Sequence, residues 1–526
     1  LHGFIDGAGS VAAQVSPMMS GMMIKSMIGA QLGDPGLAGI APGKGLAVVM
    51  LDQNNSFAVI EAGEAQIAAY SNALAARGIA AKAVEGVLVV AKSPGQVEKG
   101  SALVSVVKDK LLFHRSPDLR LTLQPAALIE KNDAQIQGML QMMPMMMGMG
   151  MQQAPGMDMN SIQSMARILE AEVRILLSLA GQCDTAEIVL APKDGSLVIS
   201  KTFVAEEGTH LSTLLNAPKT TVPNPKIQSG LLGDAAVAVD AAMGNPEAVA
   251  DFFVAETEEL MKEMNLQDID VAAIVASLKK WMNVYSGSFC ETVDFGGESG
   301  FSVNYAMVLK DEAAALSLFR TMQEDMGPFI RMYENMGMPM TLEFRENVRE
   351  HRGVNIHQFR VAMSLNHLPE EQRSQMEQMN LTNIVYDVAI VNGCMLYSMG
   401  APKMETLIDR IMDDAFTASP LKARGVYPAG AFYYCDFDVA AYLSFAASMM
   451  PQVPDNPLPQ IAALLQGSDP VTSAGFSEDG AVMWSVNIPG GLIGKVGQAA
   501  MMIQMRQMQQ GAAPQPVIED INVPAP

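Results

Sequence analysis

The chain has 526 residues, of which 49% are hydrophobic and 17% charged, and a formal net charge of −22. That composition builds a core and excludes a disordered chain. The acidic balance excludes a nucleic-acid partner and electrostatic docking on anionic lipid, since both need clustered Lys and Arg.

Residues 1–44 predict an N-terminal amphipathic helical segment. Its most apolar stretch, VSPMMSGMMIKSMIGA (15–30), is interrupted by Pro17, Ser20, Gly21, Lys25 and Ser26. No apolar run in the chain reaches the ~18 residues that cross a bilayer, so no transmembrane span is expected. A chain opening on Leu1 rather than Met has either lost a leader or been trimmed; leader removal is the expectation, and it implies an exported, periplasmic or cell-surface protein.

Residues 45–117 read as a first kind of unit: the paired strands GLAVVMLD and SFAVIEAG, then VEGVLVVAKSPGQVEKGSALVSVV (84–107). The latter runs strand, Ser-Pro, helix, and Pro94 falls in the first turn, where a missing N–H costs nothing. Residues 118–232 read as a second kind of unit: a strand, helices, then a β-hairpin over 183–215. Residues 233–330 repeat that plan. Residues 331–425 return to the first kind, with MTLEFREN and VNIHQFRVAMSL ahead of VNGCMLYSMGAPKMETLIDRIMD (391–413) and Pro402 in the place of Pro94. Residues 426–510 give the second kind once more, and 511–526 form a Pro-rich tail that stays extended. The three hairpin turns, KDGS, GESG and EDGA, each place Gly where a tight turn needs positive φ. These patterns predict an α+β fold of long antiparallel sheets with helices layered on one face, built from internal pseudo-repeats.

The strand-then-Ser/Pro-then-helix pattern of DLRLTLQPAALI and VEGVLVVAKSPGQVEKG resembles that of large uncharacterised exported bacterial proteins assigned to domain-of-unknown-function families. The resemblance covers residues 40–215 and 380–500. It implies an exported α+β protein and carries over no functional residue.

Candidate chemistry is sparse. A G-x-S-x-G elbow is absent, because GGESG (296–300) spaces its glycines wrongly and leaves Ser299 at a hairpin tip. The six histidines form no metal-ligand spacing, and no glycine loop has the spacing of a nucleotide site. The most basic stretch, REHRGVNIHQFR (349–360), makes Arg349 and Arg352 candidate anion ligands, supported by Arg345 and Arg360. The competing reading is a cross-strand charge ladder with the glutamates of FRENVRE. Cys183 and Cys290 open equivalent hairpin strands, while Cys394 and Cys435 sit on strands that could be neighbours. Buried free thiols are the expectation, and two disulfides the alternative.

Methionine is the conspicuous residue, at 42 in the chain, with ten among the twenty-one residues of MLQMMPMMMGMGMQQAPGMDM (139–159). Met145, Met147, Met149 and Met151 are candidate Cu(I) ligands, because converging thioethers suit a soft cation. The wider enrichment favours gap-filling and adaptable contact surfaces instead, and the tract reads as an enlarged inter-helix loop. The resulting expectation is a non-enzymatic exported structural, assembly-forming or binding protein. It would use Met-rich apolar surfaces for self-association, contact with a protein partner or an apolar ligand, with no cofactor. The alternatives are a periplasmic Cu(I)-binding or copper-buffering protein and an unrecognised hydrolase.

Overall fold

The computed structural model describes residues 1–15, 21–34, 36–40, 44–52, 55–108, 118–151, 169–170, 173–219, 235–264, 271–295, 301–327, 330, 334, 340–363, 383–400, 403–413, 421–449 and 456–509. Two antiparallel sheets of four and thirteen strands carry an α+β fold.

The small sheet contains β1 (Leu46–Asp52), β2 (Asn55–Glu61), β3 (Ala80–Val84) and β4 (Val87–Ala91), in the order β1-β2-β4-β3. Successive side chains of a strand point to opposite faces, and here both faces are buried. Ile60 and Leu88 pack with Ile67, Tyr70 and Leu74 of α3 (Glu64–Ala75), together with Ile5 of α1 (His2–Val15), Leu32 of α2 (Gly21–Leu32), Leu37 and Ile40. Phe57, Val59 and Val89 pack on the other side with Val97 of α4 (Pro94–Ala102), and Val104 and Val107 of α5 (Val104–Val107). Pro94 is the first residue of α4, and Ser93 with Gln96 closes a capping box around it. Pro402 lies outside the described residues.

The large sheet runs β11-β12-β13-β14-β10-β9-β8-β15-β16-β17-β7-β6-β5. Its strands are β5 (Leu119–Leu123), β6 (Cys183–Lys193), β7 (Ser196–Ala205), β8 (Val237–Ala242), β9 (Tyr285–Phe295), β10 (Phe301–Leu309), β11 (Met340–His351), β12 (Val354–Met363), β13 (Asn383–Val391), β14 (Cys394–Met399), β15 (Tyr433–Phe437), β16 (Val471–Glu478) and β17 (Ala481–Ile488). Three triplets, β5-β6-β7, β8-β9-β10 and β15-β16-β17, are hydrogen-bonded in chain order. The last triplet stands between the other two. Its opening strand β15 pairs with the opening strand β8, and its closing strand β17 pairs with the closing strand β7. The KDGS and EDGA hairpins turn through Asp194-Gly195 and Asp479-Gly480, all four residues at positive φ, which matches the right-handed twist of the flanking strands. GESG lies outside the described residues.

One cross-strand row crosses the whole sheet: Arg349, Ile356, Ala389, Leu396, Ala306, Cys290, Asp240, Tyr434, Ala474, Ser485, Ser200, Val189, Arg120. It defines a Cys290 face, and the adjacent row through Glu291 defines the opposite one. Helices cover both faces, not the single face expected. On the Cys290 face, Met404, Leu407 and Ile408 of α11 (Met404–Asp413) pack on Ile356, Ala389 and Leu396. Leu421 and Ala423, which opens α12 (Ala423–Val426), pack there on Ala238 and Tyr434. On the Glu291 face, Trp281 of α9 (Val271–Val284) and Phe319 of α10 (Glu312–Asp325) pack on Val388, Met395 and Tyr397. Further along that face, α13 (Val439–Met449), α14 (Leu458–Leu465) and α15 (Gly490–Gln509) pack on Val471 and Ile488. The reason is visible in β14, whose Met395 and Leu396 are both 0% exposed. A strand buried on both sides reads as a continuous apolar run and not as an alternation.

Two further differences concern the repeat plan and the methionine tract. The two stretches read as the same first kind of unit have different strand orders: β1-β2-β4-β3 in one, β11-β12-β13-β14 in the other. In the first, α3 carries the chain across β4 before β3 forms. The methionine tract is not a loop as far as it is described: α6 (Pro125–Met151) continues through it to Met151. Residues 152–159 lie outside the described residues.

Candidate functional site

In the middle of the large sheet the usual polarity of the two faces is reversed. Burial along β10 alternates strictly from Phe301 to Met307, and the fully buried positions are Ser302, Asn304 and Ala306. In β9 burial alternates from Ser288 to Thr292, with Ser288, Cys290 and Thr292 buried, and in β8 Asp240 is 0% exposed. These polar side chains all point to the Cys290 face. Phe289, Glu291, Val293, Val303 and Tyr305 point the other way and are only partly buried.

Several groups on the buried polar side are paired internally. Ser398 Oγ donates to Asn304 Oδ1 at 2.8 Å. Asp240 is ion-paired with Arg424 and receives the Cys290 thiol at 3.6 Å. The Arg424 guanidinium also sits 4.7 Å from the centre of the Tyr434 ring, a cation–π contact. Burial and the Asp240 carboxylate push the Cys290 thiol well up, which disfavours its thiolate.

The half-open side is different. Glu291 stands directly across from Tyr305 on β10 and from Val239 on β8. Tyr397 on β14 continues the row, its ring 6.2 Å from that of Tyr305. One row along, Phe289 stacks on Tyr305 at 5.4 Å. Tyr433 lies two strands away in the Phe289 row, and its ring is 4.8 Å from that of Trp484. The result is an aromatic floor, flanked by α9 and α10 on one side and by α13 and α14 on the other, with a single carboxylate in it.

That carboxylate has no compensating group among the described residues. Burial raises its pKa, and no hydrogen-bond donor or cation opposes the shift. Its field acts outward on its neighbours. Tyr305 and Tyr386 are raised by burial first and by Glu291 second, so their hydroxyls stay protonated as donors at neutral pH. A desolvated acceptor amid aromatic faces is an arrangement that favours a ligand cation or a strong donor over water.

The residues singled out from sequence fall elsewhere. Arg349 donates to both Asp387 oxygens and to Glu405, while Arg352 pairs with Asp409 and Asp413. Both guanidinia are thus engaged with carboxylates of the chain itself. Arg345 pairs with Glu343, and Arg360 donates to Asn383. Arg345 thus pairs within its own strand and Glu346 with Arg320 of α10, so these contacts are not the cross-strand ladder with the glutamates of FRENVRE expected for the basic stretch. Its main partners are three acids spaced four apart on α11, Glu405, Asp409 and Asp413, which His351 also joins through Asp409 at 2.8 Å. Met145 is exposed at 67%. Positions 145 and 149 stand one turn apart on α6, as do 147 and 151, and the two pairs lie on different sides of the helix. Ser299 lies outside the described residues. All four cysteines are buried thiols outside any disulfide, and Cys394 and Cys435 lie on strands separated by β10, β9 and β8.

A serine, a histidine and a carboxylate do meet in one other place. Ser178 and Gln182 each donate to Glu256 of α8 (Pro246–Met264) at 2.7 Å, and His210, which opens α7 (His210–Asn216), approaches the same carboxylate at 3.3 Å. Ser178 and His210 are both addressed to Glu256 and not to each other, which makes a brace between helices and not an activated hydroxyl. Among the described residues no group of three or more His, Cys, Asp and Glu side chains is placed to hold a metal ion. No described helix is long and apolar enough to cross a membrane.

Sequence reasoning passed over Glu291. Its signal is local: in SFCETVDF the odd positions read Phe289, Glu291, Val293, Phe295, so one charge interrupts an apolar stripe. Comparison of the chain with protein-family models, curated proteins and solved structures returns no match.

Proposed function

We propose that this chain is a non-enzymatic binding protein whose ligand occupies the aromatic floor around Glu291, and that it works outside the cytoplasm. The ligand combines a cationic nitrogen with a flat or apolar body. The nitrogen would sit against Glu291, and the body would lie over Phe289, Tyr305 and Tyr433. The supporting observation is the half-buried Glu291 carboxylate, which has no compensating group among the described residues. A group raised by burial alone destabilises the fold when it ionises, which is a cost that binding of a cation offsets. The Met-tract reading as a Cu(I) site is less well supported, because spacing by two on a helix divides the four positions between two sides.

The test uses benzyltrimethylammonium with benzyl alcohol as its neutral counterpart, titrated calorimetrically against the full chain and the Glu291→Gln variant. The expected result is preference for the ammonium ion in the native protein and loss of that preference in E291Q. Affinity should also fall as pH drops through the raised pKa of Glu291, because the bound cation favours the ionised form. Equal binding of both probes by the native protein, or the same preference in E291Q, overturns the proposal.

A further inference from the structure

The large sheet joins its triplets by a rule. Opening strand meets opening strand at the β8–β15 seam, over five antiparallel pairs from Val237–Phe437 to Ala241–Tyr433. Closing strand meets closing strand at the β17–β7 seam. β5, also five residues long, is the third opening strand, and it forms an edge of the sheet with β6 as its one partner among the described residues.

The two edges of this sheet are built differently. β11 is an edge of the kind that resists pairing: it carries Glu343, Arg345, Glu346, Arg349 and Glu350 and is broken by a register shift between Arg345 and Arg349. β5 has none of these devices. Leu119, Leu121 and Leu123 are exposed at 52%, 52% and 39% on the Glu291 face. Its one charge, Arg120, lies on the opposite face in ion pairs with Asp118 and Glu187. An unguarded strand edge presents a row of free N–H and C=O groups that a second strand can complete. Met139 and Met142 of α6, the helix that follows β5, are also half exposed.

We propose that β5 pairs antiparallel with β5 of a second copy of this chain about a two-fold axis at Leu121, so that the seam joining β8 to β15 within the chain is repeated between chains. An antiparallel pairing of one strand with itself is isologous and closes at two copies. Leu121 then faces the partner's Leu121, and Leu119 faces the partner's Leu123. The five-residue length and the alternation of leucines with Arg120 and Thr122 fit this register: all the leucines share one face and the two polar residues the other.

Size-exclusion chromatography with light scattering on the full chain should report a two-chain mass across the micromolar range. Mild oxidation of L121C should link two chains, whereas M50C, on the exposed edge strand β1, should give no more cross-link than the native protein. L121K should raise the dimer dissociation constant at least tenfold. Because a β5 variant can perturb folding, hydrogen exchange on the native protein is the companion measurement: β5 amides should slow as concentration rises, while those of β11 should not change. A monomer at all concentrations, or a dimer that cross-links through M50C and not through L121C, overturns the proposal.

Discussion

Arg424→Met tests whether a buried charge or a packing contact holds the central seam. Asp240 is 0% exposed and its cation is Arg424, whose side chain is 33% exposed. Removing one member of a buried pair costs roughly 3–5 kcal/mol, because the remaining charge is left in a poor solvent. The partial exposure of Arg424 places this pair at the low end, about 3 kcal/mol, with the cation–π contact to Tyr434 contributing about 0.5–1 kcal/mol of it. A chain this long does not melt as one two-state unit, so the effect is best read locally by hydrogen exchange. At tenfold per 1.36 kcal/mol, about 3 kcal/mol accelerates exchange of the β8 and β15 amides by roughly 160-fold, with β5 and β6 nearly unchanged. The decisive comparison is the double variant Arg424→Met with Asp240→Asn, which leaves no uncompensated charge and should recover most of the protection. A double variant that exchanges as fast as the single one refutes the reasoning, since the loss would then come from the missing arginine stem.

Three further outcomes follow from the same physics. Phe319→Ala empties the centre of an aromatic cluster in which Trp281 lies 5.3 Å and Phe344 5.2 Å away, and should cost about 3–5 kcal/mol with a red shift of Trp281 emission. The acids of α11 should release that helix in acid. Glu405 is lowered chiefly by its hydrogen bond from Arg349, and Asp409 chiefly by that from His351. Stabilisation from such depressed carboxyls is present above their ordinary range and is lost as pH falls through their folded values, so exchange in 404–413 should accelerate at low pH before that in β14. Glu291→Gln should do the reverse for stability, raising the melting temperature at neutral pH by an amount that disappears as pH drops below the ordinary glutamate range, because Glu291 is raised and not lowered.

Local chemistry was readable from the sequence wherever a few adjacent residues decide the conformation. Asp194-Gly195 and Asp479-Gly480 announce their hairpins, and Ser93-Pro94 announces a helix start, because turns and caps are settled within four residues. The order of strands was not readable. Seams such as Val239–Cys435 and Ser485–Ser200 join residues hundreds of positions apart, and nothing in either strand names its neighbour. The same limit misled the reading of Arg349 and Arg352. Their partner carboxylates lie well along the chain, Asp387 on β13 and Glu405 on α11 for Arg349, Asp409 and Asp413 on α11 for Arg352, so a local cluster of positive charge looked free. Glu291 was hidden for another reason: a strand with both faces covered gives no clean signal of which side is buried, and the half-open side here carries the apolar residues.

The position of β15, β16 and β17 has a consequence for how the molecule is made. A ribosome delivers β5 to β7 and β8 to β14 first, and until residue 433 appears the opposed edges β7 and β8 have no strand between them. The final triplet must therefore enter a gap already lined on both sides, joining two bodies that have waited for it. Between the completion of β8 at residue 242 and the appearance of β15 at residue 433, the edges of β7 and β8 are both unpaired by the final triplet, a state in which edge-to-edge association between nascent chains competes with completion of the sheet. A chain stopped before residue 433 would lack the three strands that join β7 to β8, and so would lose the continuity of the large sheet and not merely its final elements.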